Sequence, residues 1–230
     1  MKHLVAAGGA LLATRAQRGG ASDMPAGLRA LALACWALVA PVAAAELAPD
    51  ALVRGVSEEV IAAIRQDRDL QTGDARRIAA LVEAKVLPHF DFRRTTQIAL
   101  GVHWRHATPE QQEELTREFR SLLVRTYAGA LAGYRDQAIE FRPLRMRPGD
   151  TEVTVRSVIK QPGAEPIVIE YDMEKTAADW KVFDIRVAGI SLVATYRSSF
   201  AEEVRNRGID GLIETLAAKN RSAMKVSTRN

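Results

Sequence analysis

Few side chains in this sequence are placed to do chemistry, and they are scattered. His103 and His106 stand three apart, but no cysteine or carboxylate spacing completes a metal-ligand set around them. His89, Asp91 and Asp184 are the candidates for a catalytic base if the chain encloses a small pocket, as isomerase-like enzymes on curved sheets do. Arg142, Arg145 and Arg147 surround Pro143 and have the groups to meet a phosphate; the same cluster suits a solvated strand edge kept from aggregating by charge. Glu170, Asp172 and Glu174 alternate along the chain, which puts three carboxylates on one side of a strand, as its wet face or as a surface for a basic partner. The sequence contains no G-x-S-x-G, H-E-x-x-H, Walker loop or dinucleotide fingerprint.

The one cysteine, Cys35, lies in an apolar leader running from Ala30 to Ala40 behind Arg29. That run is too short for a comfortable membrane span, and it exits through Pro41 and the small residues Ala43, Ala44 and Ala45. It reads as a secretory signal cleaved after Ala45, with Met24 opening a signal of ordinary proportions. Residues 1–45 are thus leader and signal peptide in this reading, and residues 46–230 are one domain. Cleavage removes Lys2, Arg15, Arg18 and Arg29 with Asp23, taking the chain from 32 basic and 28 acidic residues to 28 and 27. So small a charge excess gives no case for nucleic-acid binding. With no thiol left for a disulfide, packing alone must hold the domain together.

Periodicity shows what must position the groups. Thr108 to Tyr134 reads as one long helix of about 24 residues, opened by a T-x-x-Q capping box with Pro109 at its first position. Leu115, Phe119, Leu122, Leu123 and Leu131 form its apolar side. Earlier helices run from Pro49 to Gln66, from Asp74 to Val86, and from the Phe90-Asp91-Phe92 stretch to Leu100. After Asp136 the period changes to alternation and predicts four strands: one around Ile139 and Phe141, then Val153–Lys160, Ile167–Glu174 and Trp180–Val187. Helices return at Leu192–Arg205 and Ile209–Lys219. Helices, meander, helices implies an α+β domain, with a four-stranded antiparallel twisted sheet covered by helices on one face.

Taken in order, Phe90-Asp91-Phe92, Ala99-Leu100-Gly101, Trp104-Arg105, Ala107-Thr108-Pro109, Tyr127, Trp180-Lys181-Val182, Asp184, Gly189-Ile190-Ser191 and Gly208-Ile209-Asp210-Gly211-Leu212 form a set. In that order they resemble MlaC-type proteins, the toluene-tolerance or ABC-transporter auxiliary family, from about Val53 to Asn220. The resemblance implies a periplasmic carrier moving glycerophospholipid between an outer-membrane lipoprotein–porin complex and an inner-membrane ABC transporter. It implies no cofactor, phospholipid being the cargo, and no catalysis. Two stretches depart from the family pattern: Thr95-Thr96-Gln97, where Met and Arg are common, and Ala188, where an acidic residue commonly precedes the glycine. They put in doubt a headgroup or partner contact at the first and the form of the loop at the second.

A lipid carrier must offer acyl chains a dry interior, because about 15 exposed methylenes at roughly 0.8 kcal/mol each would cost about 12 kcal/mol. The greasy side of the meander, Val153, Val155, Ile159, Ile167, Ile169, Tyr171, Phe183 and Ile185, can supply a wall. Leu122, Tyr127 and Leu131 of the long helix can supply a roof, enclosing an apolar lipid pocket. From pattern alone an ordinary core accounts for the same residues; the resemblance is what turns them into lipid contacts. A carrier of another lipid, such as a hopanoid, or a small pocket enzyme, are the alternatives. The leader yields a direct expectation: N-terminal sequencing of the exported protein returns Glu46, and retention of Ala30–Ala45 on it would contradict cleavage.

Overall fold

Side-chain caps set the helix boundaries in the computed structural model, which describes residues 47–134 and 137–227. The leader and the expected cleavage site lie outside the described residues. Helix α1, Pro49–Gln66, carries its proline in the first turn, where a missing N–H costs nothing. Asp67 then caps a short helix that the sequence pattern had not disclosed, α2, Arg68–Thr72, accepting from the backbone N–H of Asp69 at 2.8 Å and of Leu70 at 3.3 Å. Asp74 caps α3, Ala75–Lys85, and Asp91 caps α4, Phe92–Leu100, in the same way. The Thr108–Gln111 capping box is formed and opens α5, Pro109–Tyr127.

Helix α5 is shorter than its apolar pattern implies. It ends at Tyr127 after 19 residues, about 28 Å. Ala128–Gly133 continues as a 3-10 segment, because Gly129 and Gly133 weaken the α-helical preference of that stretch. The last helix, α6, Arg197–Ser227, is broken at Gly208, whose backbone angles of φ 71° and ψ −177° are those of neither helix nor strand. The break falls where the sequence separated two helices.

The sheet is an antiparallel meander in chain order: β1, Ala138–Phe141; β2, Glu152–Lys160; β3, Ile167–Lys175; β4, Trp180–Val187; β5, Ile190–Ser191. It has five strands where four were expected. Ala188 and Gly189, with φ of 49° and 81°, make a two-residue turn that folds Ile190 and Ser191 back on β4. A strand of two residues is too short for alternation to reveal.

Strand β4 also departs from simple alternation. Ile185 pairs with Tyr171 and Val182 with Met173, so two residues three apart share a face, and the register shifts between them. This bulge is held by α4. The backbone N–H of Asp91 donates to the carbonyl of Val182 at 2.9 Å, and the Thr95 hydroxyl donates to that of Phe183 at 2.8 Å. Carbonyls displaced from a ladder need donors, and the start of α4 provides them. Thr95 is 2% exposed and Thr96 is fully buried, so the departure from the family pattern here is a structural fastening.

On the outer face of the sheet, Arg156 and Arg186 pair with Glu170 at 2.7 and 3.0 Å, Arg186 with Asp172 at 3.0 Å, and Arg94 joins Glu152 and Glu174. The three alternating carboxylates are thus engaged by arginines of this chain. Apolar packing falls into three clusters: α4, α5 and α6 around Leu115 and Phe119; α1 and the sheet around Val155 and Met173; and α1, α2 and α3 around Ile64 and Ile78. The described residues belong to one compact unit.

Two substitutions test the backbone account. A Cβ at Gly208 would meet nothing within 4 Å, so Gly208→Ala should destabilise through the backbone alone, by about 1–3 kcal/mol in chemical denaturation. Ala188→Asn should raise the denaturation midpoint, because asparagine tolerates the left-handed region that costs alanine about 1 kcal/mol. Unchanged midpoints in both would contradict it.

Candidate functional site

Where the three clusters meet beneath the sheet, packing is incomplete, and two apolar hollows occupy the seams. The first, about 220 Å³, lies between β4, α3, the start of α4 and the end of α5; its walls include Val82, Phe92, Thr95, Leu123, Tyr127, Phe183 and Leu192. The second, about 270 Å³, lies between α1 and the sheet, with Leu52, Val56, Val60, Ile159, Tyr171 and Met173 in its walls. Val86, Phe90, Leu131 and Ile185 line both, so the two hollows adjoin across a partition of four apolar side chains. Each exceeds the roughly 150 Å³ apolar cavity that suffices for benzene. Were they fully enclosed and unfilled, hollows of this size would cost at most about 12 kcal/mol at 24 cal/mol per Å³. That is comparable with the whole 5–15 kcal/mol, roughly, by which domains are stable.

The walls are largely apolar, and burial acts on the few ionisable groups in them. Burial pushes the Tyr127 phenol up to about 12, helped by the neighbouring Tyr196 hydroxyl. Burial also raises Tyr171, whose hydroxyl lies 3.4 Å from that of Ser157. Asp184 is 7% exposed and is raised by burial, against the opposing bonds from Ser191 and from the Val193 backbone N–H at 3.3 Å. His89 is lowered by burial and then by Lys181, with Asp179 and Glu59 acting the other way. Four ionisable groups in these walls therefore shift toward their neutral forms, as a low-dielectric surround requires.

Of the eleven residues expected to line a pocket, Tyr127, Leu131, Ile159, Tyr171, Phe183 and Ile185 face these hollows. The other five do not. Leu122 packs into the α4–α5–α6 cluster, while its neighbour Leu123 takes the wall position. Val153 and Val155 pack into the cluster of Leu52, Val53 and Trp180 and line neither hollow, although Leu52 and Val53 themselves border the second. Ile169 is buried outside the hollows. Ile167 is 44% exposed and Val168 41%, so this end of β3 is uncovered on both faces. Missing from the expectation was the whole contribution of α1, together with Val82, Phe90, Phe92 and Thr95. Their helical stripes were visible in the sequence, but a stripe does not state whether it meets a neighbour or a gap.

The polar candidates do not converge. Asp91 serves as a helix cap and lines neither hollow, Asp184 fastens the β4–β5 turn beside the first, and His89 lines the second. Arg142, Arg145 and Arg147 are exposed and line neither. Among the described residues no group of three or more His, Cys, Asp or Glu could hold a metal ion, and no helix is long and apolar enough to cross a membrane.

Comparison with known proteins bears on this geometry. Residues 54–218 match the family model described as MlaC protein. The intermembrane phospholipid transport system binding protein MlaC of Haemophilus influenzae is 25% identical over 179 residues, covering 76% of this chain and 84% of that protein. The toluene tolerance protein ttg2D of Pseudomonas putida is 24% identical over 163 residues, covering 70% and 75%. Among solved structures, the phospholipid-binding protein from Ralstonia solanacearum in complex with a phospholipid is 42% identical, with a TM-score of 0.69 over 75% of this chain and 97% of that one. With the family model spanning most of its length and a relative of that identity sharing its fold, this chain belongs to the MlaC family.

Proposed function

We propose that this chain is a periplasmic phospholipid carrier, and that the two adjoining hollows take the acyl chains of its cargo. The observation that carries the reading is the pair of apolar hollows between the helical layer and one face of the sheet. A phospholipid-bound relative with the same fold at 42% identity supports phospholipid as the cargo. Filling the hollows with methylenes removes apolar wall and apolar chain from water together, a gain of about 0.8 kcal/mol per methylene. Tyr127, Leu131, Ile159, Tyr171, Phe183 and Ile185 are the lipid contacts in this reading, with Val86 and Phe90 beside Leu131 in the partition.

The cargo passes between membrane-bound partners, an outer-membrane lipoprotein–porin complex on one side and an inner-membrane ABC transporter on the other. The chain itself has only to hold and release. Its grip is hydrophobic and non-directional, so release requires a surface as apolar as the hollow. Export through the leader accounts for the location between the membranes.

Leu131→Trp puts bulk into the partition shared by both hollows. Overpacking of about 1–3 kcal/mol should cut phospholipid retained on purification about tenfold, read by mass spectrometry of the extracted lipid. Lipid content equal to wild type would remove the hollows from the site, and sterol-like masses in the wild-type extract would overturn phospholipid as the cargo.

A further inference from the structure

Resting on the carrier reading, we propose that a polar cleft flanked by Arg54 and Arg65 receives the phosphate-bearing headgroup of the bound lipid. The cleft, about 430 Å³, lies between α1 and β1 and shares Ser57, Ile61, Tyr134 and Ile139 with the second hollow. It therefore continues the apolar hollow outward into a polar mouth, the sequence of surroundings that a tail followed by a phosphodiester demands. Arg54 lies over the Phe141 ring, 4.6 Å from its centre, and Arg65 donates to the Tyr134 hydroxyl at 3.3 Å. Both contacts tether the side chains to the far wall of the cleft while leaving guanidinium donors uncommitted.

What separates these two arginines from the others near the sheet is charge balance. Arg94, Arg156 and Arg186 are each paired with carboxylates of the chain, whereas neither Arg54 nor Arg65 forms an ion pair among the described residues. Glu58 lines the same cleft one turn from Arg54 and does not pair with it, so the described residues that line the mouth carry two arginines against one carboxylate. Eleven residues, about 16 Å of helix, separate the two arginines, so they bracket a headgroup rather than form a single fork. The cluster around Pro143 has no such connection: Arg142 and Arg145 line neither hollow nor this cleft, and Arg147 lines a cleft that shares no residue with either hollow.

The test offers the delipidated full-length mature protein vesicles containing phosphatidylglycerol and diacylglycerol with the same acyl chains, and measures both lipids taken up per protein. Wild type should favour the phospholipid. Arg54→Gln with Arg65→Gln should lower that ratio about tenfold, the worth of a charge-assisted contact, with diacylglycerol uptake unaltered. Arg76→Gln with Arg205→Gln, an equal charge change at exposed positions elsewhere, should leave the ratio at the wild-type value. An unchanged ratio in the first variant, or an equal fall in both, overturns the headgroup site while uptake itself keeps the carrier reading standing. No uptake of either lipid by wild type overturns the carrier reading and the site with it. Excess inorganic phosphate separates the two sources of the anion. Failure to displace lipid supports the headgroup, and phosphate binding with an unchanged lipid ratio marks a free-anion site and overturns the proposal.

Discussion

Two hydrogen bonds from the start of α4 to the bulge of β4 set the spacing on which the interior depends. The Asp91 N–H and the Thr95 hydroxyl hold the carbonyls of Val182 and Phe183, fastening the helical layer to the sheet at one place. A polar fastening has a fixed length, unlike an apolar contact, which closes until side chains touch. Beside it, Phe90 and Phe92 stack with ring centres 5.6 Å apart, and with Phe183 and Ile185 they border the first hollow. On either side the three clusters are well packed, with Leu115, Phe119, Val155 and Met173 fully buried. The fold thus keeps its stability in the clusters and its binding capacity in the seams between them.

This division explains how one chain can be a receptacle and a stable domain at once. If the whole helical layer rested loosely on the sheet, the interior would be fluid and the outer ion-paired face would have to carry the fold. Surface pairs of that kind contribute little, about 0–1 kcal/mol each. Here α1 instead joins the sheet cluster through Leu52 and Val53 and the α3 cluster through Val60 and Ile64, and the second hollow runs along the helix between these two attachments. The ionisable groups in the walls respond to the same dryness: Tyr127, Tyr171, Asp184 and His89 are each biased to the uncharged state.

Much of this architecture was legible in the sequence, because alternation in β2 and β3 and the capping box of α5 are local signals with local causes. The greasy face of the meander was readable too: Ile159, Tyr171, Phe183 and Ile185 line the hollows, as do Tyr127 and Leu131 from the stretch read as the long helix. What was not legible depends on distance between elements. Val155 and Ile159 belong to one face of one strand, yet one is sealed under α1 and the other borders a hollow, a difference set by how far α1 stands off. Leu122 and Leu123 are adjacent in an apolar stripe and turn to different neighbours. The bulge at Val182 and the turn at Ala188 were hidden for another reason: each depends on one residue whose backbone choice is settled by its partners. At Thr95 the sequence bore only on a headgroup or partner contact, because its acceptor, the Phe183 carbonyl on β4, lies far along the chain.

The central claim is that acyl chains lie in the seam between the helical layer and the sheet. A crystal structure of the mature protein as purified, with its bound lipid retained, tests it most directly. The account predicts continuous tail density running past Leu131, Phe90 and Ile185 on the helix-covered face of the sheet. Side chains meeting across that seam, or lipid held on the outer, ion-paired face, would contradict it.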